Sequence, residues 1–173
     1  MKITEGLGIL AGTHRRHSAG YRETIKRIQD GALGEVLECR SYFNTGATRV
    51  IDRQPAWSDM EYQIRNWLYY PWTSRDHLVD AAVHGLDIIN WVMNAHPVKC
   101  WGMGARQQLG DKSGEIWDNF AVEYEYANGV RLYSYCGQIK RDWASVSEAV
   151  HGTKGWSDPG RSISPKGGQA WRF

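Results

Sequence analysis

Residues 76–93 read Asp76-His77-Leu78-Val79-Asp80-Ala81-Ala82-Val83-His84-Gly85-Leu86-Asp87-Ile88-Ile89-Asn90-Trp91-Val92-Met93. The apolar positions 78, 79, 82, 83, 86, 89 and 93 recur at steps of three and four, the repeat of an amphipathic helix. At about 100° per residue, positions 76, 80, 84, 87 and 91 fall within about 80° of one another. One stripe of this helix therefore carries Asp, Asp, His, Asp and Trp, with none of the Lys, Glu, Gln or Arg that usually fill a solvated stripe. Such a stripe faces either open water or a cleft. The helix ends near Asn94, and Pro97 prevents its continuation.

Downstream, segments 98–107, 116–126, 130–138 and 144–151 read as extended. Ala121-Val122-Glu123-Tyr124-Glu125-Tyr126 alternates, and Arg131-Leu132-Tyr133-Ser134-Tyr135-Cys136 does so less strictly. Ala127-Asn128-Gly129 between them is a hairpin signal, because Asn-Gly tolerates positive φ at both turn positions. The expected fold is α+β: a large, predominantly antiparallel open-faced sheet with helices on one face. Its other face needs cover, which points to a homo-oligomer formed through the open sheet. From residue 156 to 173 a Gly/Ser/Pro-rich tail reads as loop or a dangling end.

Upstream, residues 45–74 lack clean periodicity but hold Trp57, Tyr62, Trp67, Tyr69, Tyr70 and Trp72 among charged residues that include Arg49, Arg53 and Arg65. These rings either stack on sugar rings or cover the core or an oligomer interface. Ser58, three residues before Glu61, is placed to cap a short helix. Residues 35–44 have strand character. Ser18 opens a helix running to about Asp30, with Tyr21, Ile25 and Ile28 inward and Gly31 ending it. Residues 7–11 form a short apolar run suited to a buried strand, closed by Gly12-Thr13 and followed by Arg15-Arg16-His17. The carboxyl edge of a parallel sheet is where α/β proteins place ligand contacts.

Composition narrows the class. With 42% hydrophobic and 23% charged residues the chain of 173 is globular. Its net charge of +2, without Lys/Arg runs, argues against a nucleic-acid partner. No apolar stretch reaches the roughly 20 residues of a membrane span, and no signal peptide opens the chain, so a cytoplasmic location is expected. Cys39, Cys100 and Cys136 are widely spaced, which indicates neither a disulfide framework nor a zinc site.

Asp80 and His84, four apart, share one helical face. An Asp beside a His fixes its tautomer and raises its pKa, suiting it to proton transfer near neutral pH. The pair can move a proton on a substrate hydroxyl, bind a metal with Asp87 or His77, or form a buried polar bridge. A metal is the weakest of these, since Asp-x3-His without a second cluster has low specificity. No Ser or Cys sits in a nucleophile setting.

The run Gly12-Thr13-His14-Arg15-Arg16-His17, the stretch Ile28-Gln29-Asp30-Gly31-Ala32-Leu33-Gly34-Glu35-Val36, and Asp80-x3-His84-x2-Asp87 with Ile88-Ile89-Asn90-Trp91 occur in order over about residues 5–155. Together they resemble the glucose-fructose oxidoreductase / inositol dehydrogenase / rhizopine-catabolism (Gfo/Idh/MocA) family. That family joins a Rossmann domain binding NAD or NADP to a C-terminal domain with a large open sheet. The resemblance implies His84 as proton acceptor or donor and Asp80 as holder of a substrate hydroxyl. It further implies Trp67, Asp87, Arg65 and His77 around the substrate, and Arg15 and Arg16 as a basic strand end near the cofactor. The chain departs from the family in having no Gly-x-Gly-x-x-Gly fingerprint, no Glu-Lys-Pro segment, and Arg75-Asp76-His77 where many members have a glycine run. It is thus expected to start partway through the nucleotide domain, with a remnant of that domain and a linking helix over 1–33, a substrate and oligomerisation domain over 34–155, and the tail over 156–173. The implied function is the C-terminal part of an NAD(P)-dependent oxidoreductase acting on a sugar, polyol or related carbohydrate, inactive alone. A carbohydrate-binding or assembly module without redox chemistry, or a non-oxidative member of the family, is the alternative.

Overall fold

The computed structural model describes residues 12–140 and 143–173; the strand expected over 7–11 lies outside the described residues. Helix α1 (Ala19–Gln29) follows Ser18 and buries Gly20, Thr24, Ile25 and Ile28. The chain reverses at Gly31 and enters β1 (Val36–Thr45). The aromatic segment then folds as α2 (Asp59–Arg65), a 3-10 turn (Trp67–Tyr69) and α3 (Pro71–Ser74). Ser58 Oγ accepts the Glu61 N–H at 3.2 Å, the cap their spacing predicts. Asn66 is buried and binds Ile51 through both its amide oxygen and its amide nitrogen. Tyr69, Tyr70 and Ile116 form a small core of their own beneath this segment.

The central helix is not a uniform α-helix. Arg75 and Asp76 both take left-handed φ (+60° and +76°), a π-helical turn follows (Leu78–Ala82), and only then does α4 run from Val83 to Met93. Asp76 tolerates this backbone because both its carboxylate oxygens accept backbone N–H groups, Oδ1 from the adjacent His77 at 2.6 Å and Oδ2 from the distant Trp117 at 3.1 Å. The wider turn breaks the 100° step assumed from sequence. Val79 and Val83, expected inside, are therefore exposed at 48% and 37%.

Strands β2 (Lys99–Ala105), β3 (Asn119–Glu125), β4 (Arg131–Gln138), β5 (Ser145–Gly152), β6 (Gly155–Asp158), β7 (Ser162–Pro165) and β8 (Trp171–Arg172) complete one sheet of order β2-β3-β4-β1-β5-β6-β7-β8. Every neighbouring pair is antiparallel except β1 and β4, which run parallel. The tail is thus not a loop: it adds three short strands. Pro159 and Gly160 occupy the turn between β6 and β7, while Ser157 and Ile163 point inward onto the core. The 126–130 hairpin also differs from expectation. Gly129 alone has positive φ, and its N–H bonds the Tyr126 carbonyl, so a turn over Ala127-Asn128 is followed by a left-handed glycine.

Register sorts the side chains by face. Cys39, Ser41 and Phe43 pair with Leu132, Ser134 and Cys136 on one side and with Val150, Glu148 and Val146 on the other, so all share one face. Ile25, Ile28, Leu33, Ile88, Ile89 and Val92 from α1, its turn and α4 pack onto it. The opposite face presents Tyr42, Tyr135, Trp101 and Met103 in neighbouring strands, with Tyr42 stacked on Tyr135 at 5.8 Å. Among the described residues no helix is long and apolar enough to cross a membrane.

Candidate functional site

Because β1 and β4 are parallel, they finish at the same end of the sheet, where Thr45 pairs with Gln138. There Phe43, Thr45 and Gln138 line a cavity of about 180 Å³ together with Thr48, Leu68, His77, Asp80, Ala81 and His84. The π turn and the first turn of α4 bring in the last four. The volume is below the roughly 300 Å³ at which small-molecule sites begin, so the cavity by itself is too small to enclose a whole small molecule.

His77 is buried, with 3% of its surface exposed. Its Nε2 meets the Phe43 carbonyl at 3.2 Å and its Nδ1 meets Gln138 Nε2 at 2.6 Å. Burial lowers its pKa, against the Phe43 carbonyl and the carboxylates of Asp76 and Asp80, so the ring is neutral at pH 7. His84 is partly exposed, its ring lying edge-on to that of His14 at 4.8 Å. Its pKa is also lowered, first by burial and then by His14 and Arg15, with Asp80 and Asp87 opposing. The sequence expectation of a raised value is corrected: no hydrogen bond joins Asp80 to His84 among the described residues, and burial together with His14 and Arg15, brought by the segment before α1, outweighs the carboxylates.

That segment, a 3-10 turn over His14–His17, is bound to the domain by its arginines. Arg15 pairs with Glu148, which also accepts the Tyr21 hydroxyl at 2.9 Å. Glu148 is buried on the inner face of β5, and burial raises its pKa against Arg15 and Tyr21. Arg16 forms a bidentate pair with Asp87, Nε to Oδ2 and Nη2 to Oδ1 both at 2.8 Å, and lies 5.2 Å over the Trp91 ring.

The structure therefore gathers Asp80, His84 and His77 and divides the rest. Asp87 is engaged by Arg16. Arg65 pairs with Glu61 at 2.9 Å and lies over Trp57, and Trp67 is exposed while its neighbour Leu68 faces the cavity. Arg15 and Arg16 are both held by carboxylates of this chain. Sequence reading missed Phe43, Thr45, Gln138, His14 and Glu148. Only Glu148 carried a local signal, an acid in step with Val146 and the buried Val150 on one face of its strand.

The sequence profile described as the GFO/IDH/MocA C-terminal domain matches residues 21–157. The chain belongs to this family. Compared by sequence alone, no curated protein matches it. Among solved structures, aldose-aldose oxidoreductase from Caulobacter crescentus, complexed with glycerol, is similar at 18% identity and a TM-score of 0.72, over 97% of this chain and 48% of that one. GenD2 from gentamicin A biosynthesis, in complex with NAD, matches at 19% identity and 0.66, over 88% and 40%. A super-repressor mutant of Gal80p from Saccharomyces cerevisiae matches at 16% and 0.69, over 97% and 46%. The Gfo/Idh/MocA chain described here thus spans about half the length of these proteins or less, and the likeness is one of fold.

Proposed function

We propose that this Gfo/Idh/MocA chain is the substrate-binding and oligomerising part of an NAD- or NADP-dependent oxidoreductase acting on a sugar, polyol or related carbohydrate. The observation that carries this reading is the cavity holding Asp80, His77 and His84 at the joint carboxyl ends of β1 and β4. A neutral His84 imidazole is a base able to take a substrate hydroxyl's proton and to return it. Asp80 offers carboxylate oxygens to a second hydroxyl, while Phe43 and Leu68 supply apolar surface. Arg16–Asp87 and Arg15–Glu148 act at a remove, by holding the segment that sets His14 against His84.

The described residues do not themselves fit a dinucleotide. The sequence has no Gly-x-Gly-x-x-Gly turn, and the two arginines at the expected cofactor edge are engaged by Glu148 and Asp87. The chain on its own is expected to supply the substrate half of the reaction and to show no turnover. The exposed face around Trp101, Met103 and Tyr135 is expected to be covered by a second copy. A second reading is a carbohydrate-binding or assembly module without redox chemistry; a super-repressor mutant of Gal80p shares this fold.

The test is titration of glucose, myo-inositol and glycerol into isotope-labelled chain, followed by NMR, with a parallel NAD and NADP turnover assay. Shifts centred on residues 43, 77, 80, 84 and 138 are expected, with no cofactor reduction. Polyols that leave these signals unmoved overturn the carbohydrate reading. Robust reduction of NAD or NADP by the chain alone overturns the assignment of the cofactor site to residues outside it.

A further inference from the structure

The hydrogen bonds around His77 determine which atom Gln138 has left over. The Phe43 carbonyl can only accept, so the ring nitrogen facing it, Nε2, carries the hydrogen. In a neutral imidazole Nδ1 is then an acceptor, and only the NH2 end of the Gln138 amide satisfies it, at 2.6 Å. The opposite amide orientation would set Oε1 against a lone pair. Gln138 is 2% exposed and lines the cavity, and its Oε1 is one of two buried side-chain oxygens with no hydrogen-bond partner among the described residues. The other, Ser134 Oγ, is not part of the cavity lining. A buried acceptor without a donor is an unstable arrangement that a ligand or water must complete.

We propose that Gln138 is a specificity-determining residue of this cavity, its Oε1 accepting a hydrogen bond from a substrate hydroxyl while His77 holds the amide in that orientation. The assignment rests on the carbohydrate reading above and deepens it. A group that donates is accepted at this point, whereas a carboxylate or carbonyl oxygen placed there would face an acceptor. His77 is accordingly a positioning residue and His84 the group that exchanges a proton. The substrate carbon beside Gln138 is one that keeps its hydroxyl, not the carbon undergoing oxidation, whose oxygen must lose its hydrogen to His84.

The experiment uses the full chain, labelled with ¹⁵N and observed at pH 7.5, with glucose and myo-inositol as probes. Histidine ring ¹⁵N signals are expected to show His77 neutral with hydrogen on Nε2; hydrogen on Nδ1 overturns the proposal whatever binds. The bound probe is expected to shift the Gln138 side-chain amide. Gln138→Met keeps the length but offers only a weak thioether acceptor, and should weaken binding about tenfold or more, the size of one lost hydrogen bond to a buried group. Gln138→Glu keeps an acceptor and should bind within about threefold of wild type while raising the His77 pKa. Each variant's backbone spectrum away from the cavity establishes that it is folded. A probe that shifts His84 yet binds Gln138→Met as tightly as wild type overturns the role of Gln138 and leaves the carbohydrate reading standing. Probes that shift none of these signals overturn both.

Discussion

His84 and His77 have different neighbours and the same direction of shift. Burial is the leading cause for each, so both imidazoles carry less charge than an ordinary histidine, with a pKa of about 6.5, at the same pH. His14 and Arg15 add to this at His84, and an NMR titration should place the His84 midpoint below 6.5 and show it rising in His14→Gln. The shifts also bear on stability. Between the lowered folded value and about 6.5 the unfolded chain binds more protons than the folded one, so stability rises with pH across that window. It is fully present above about 6.5 and is lost as pH falls from there through the folded values. Thermal melts at pH 8, 6.5 and 5.5 should show a flat upper range and a fall below it, and the fall should be shallower in His77→Asn. A melting temperature that rises on acidification over this range would contradict the burial of neutral histidines.

At the scale of the element, two close approaches hold the central helix and the segment before α1 in place. Gly85 lies against β1: a Cβ there would meet Ser41 Oγ at 2.1 Å and Glu148 Oε1 at 3.3 Å. Gly85→Ala should therefore destabilise the fold by about 1–3 kcal/mol through overpacking, despite the roughly 1 kcal/mol by which Ala is the better helix former. Ser41→Ala in the same chain should restore part of the loss, since it removes the 2.1 Å clash and leaves the tighter-than-usual 3.3 Å approach to Glu148 Oε1, and urea unfolding of the two variants measures the difference. The Arg15–Glu148 pair is nearly dry, with 13% and 2% of the two side chains exposed. Arg15→Leu leaves a buried carboxylate with only the Tyr21 hydroxyl, at an expected loss of about 3–5 kcal/mol. Arg15→Leu with Glu148→Gln should recover part of that, because a neutral amide no longer needs a cation. If the single and double variants unfold alike, Glu148 is not held by charge.

For the molecule as a whole, the sheet is finished on one face and open on the other. The inner face is closed by α1 and α4, whereas the outer one exposes Met103 at 77% and carries the Tyr42–Tyr135 stack. Light scattering behind size exclusion should find a dimer or larger assembly for the chain, and a monomer of unchanged circular dichroism for Met103→Glu/Tyr135→Arg. A wild-type monomer at tens of micromolar would show that the open face is not self-complementary.

Much of this protein was legible in local pattern. Helical and strand periods, the Ser58 cap and the turn at Gly31 depend on neighbours a few residues away, and the spacing of Asp80 and His84 put them on one helix side. Three features depended on contacts across the chain and were beyond that reach. The tail joined the sheet because β5 offered an unpaired edge, which outweighed its turn-rich composition. The π turn re-aimed His77 and Asp80 because Asp76 found partners at His77 and Trp117. The cavity was completed by Phe43 and Gln138, which are far apart in sequence and meet only through the parallel pairing of β1 and β4. The sequence by itself determined α1, the central helix, the main strands up to β5 and the shared helix side of Asp80 and His84, since each follows from spacing within one local segment. Tertiary structure alone decided which atoms face the cavity and how the histidines titrate, because burial and charge neighbours exist only once distant strands and the segment before α1 have closed around them.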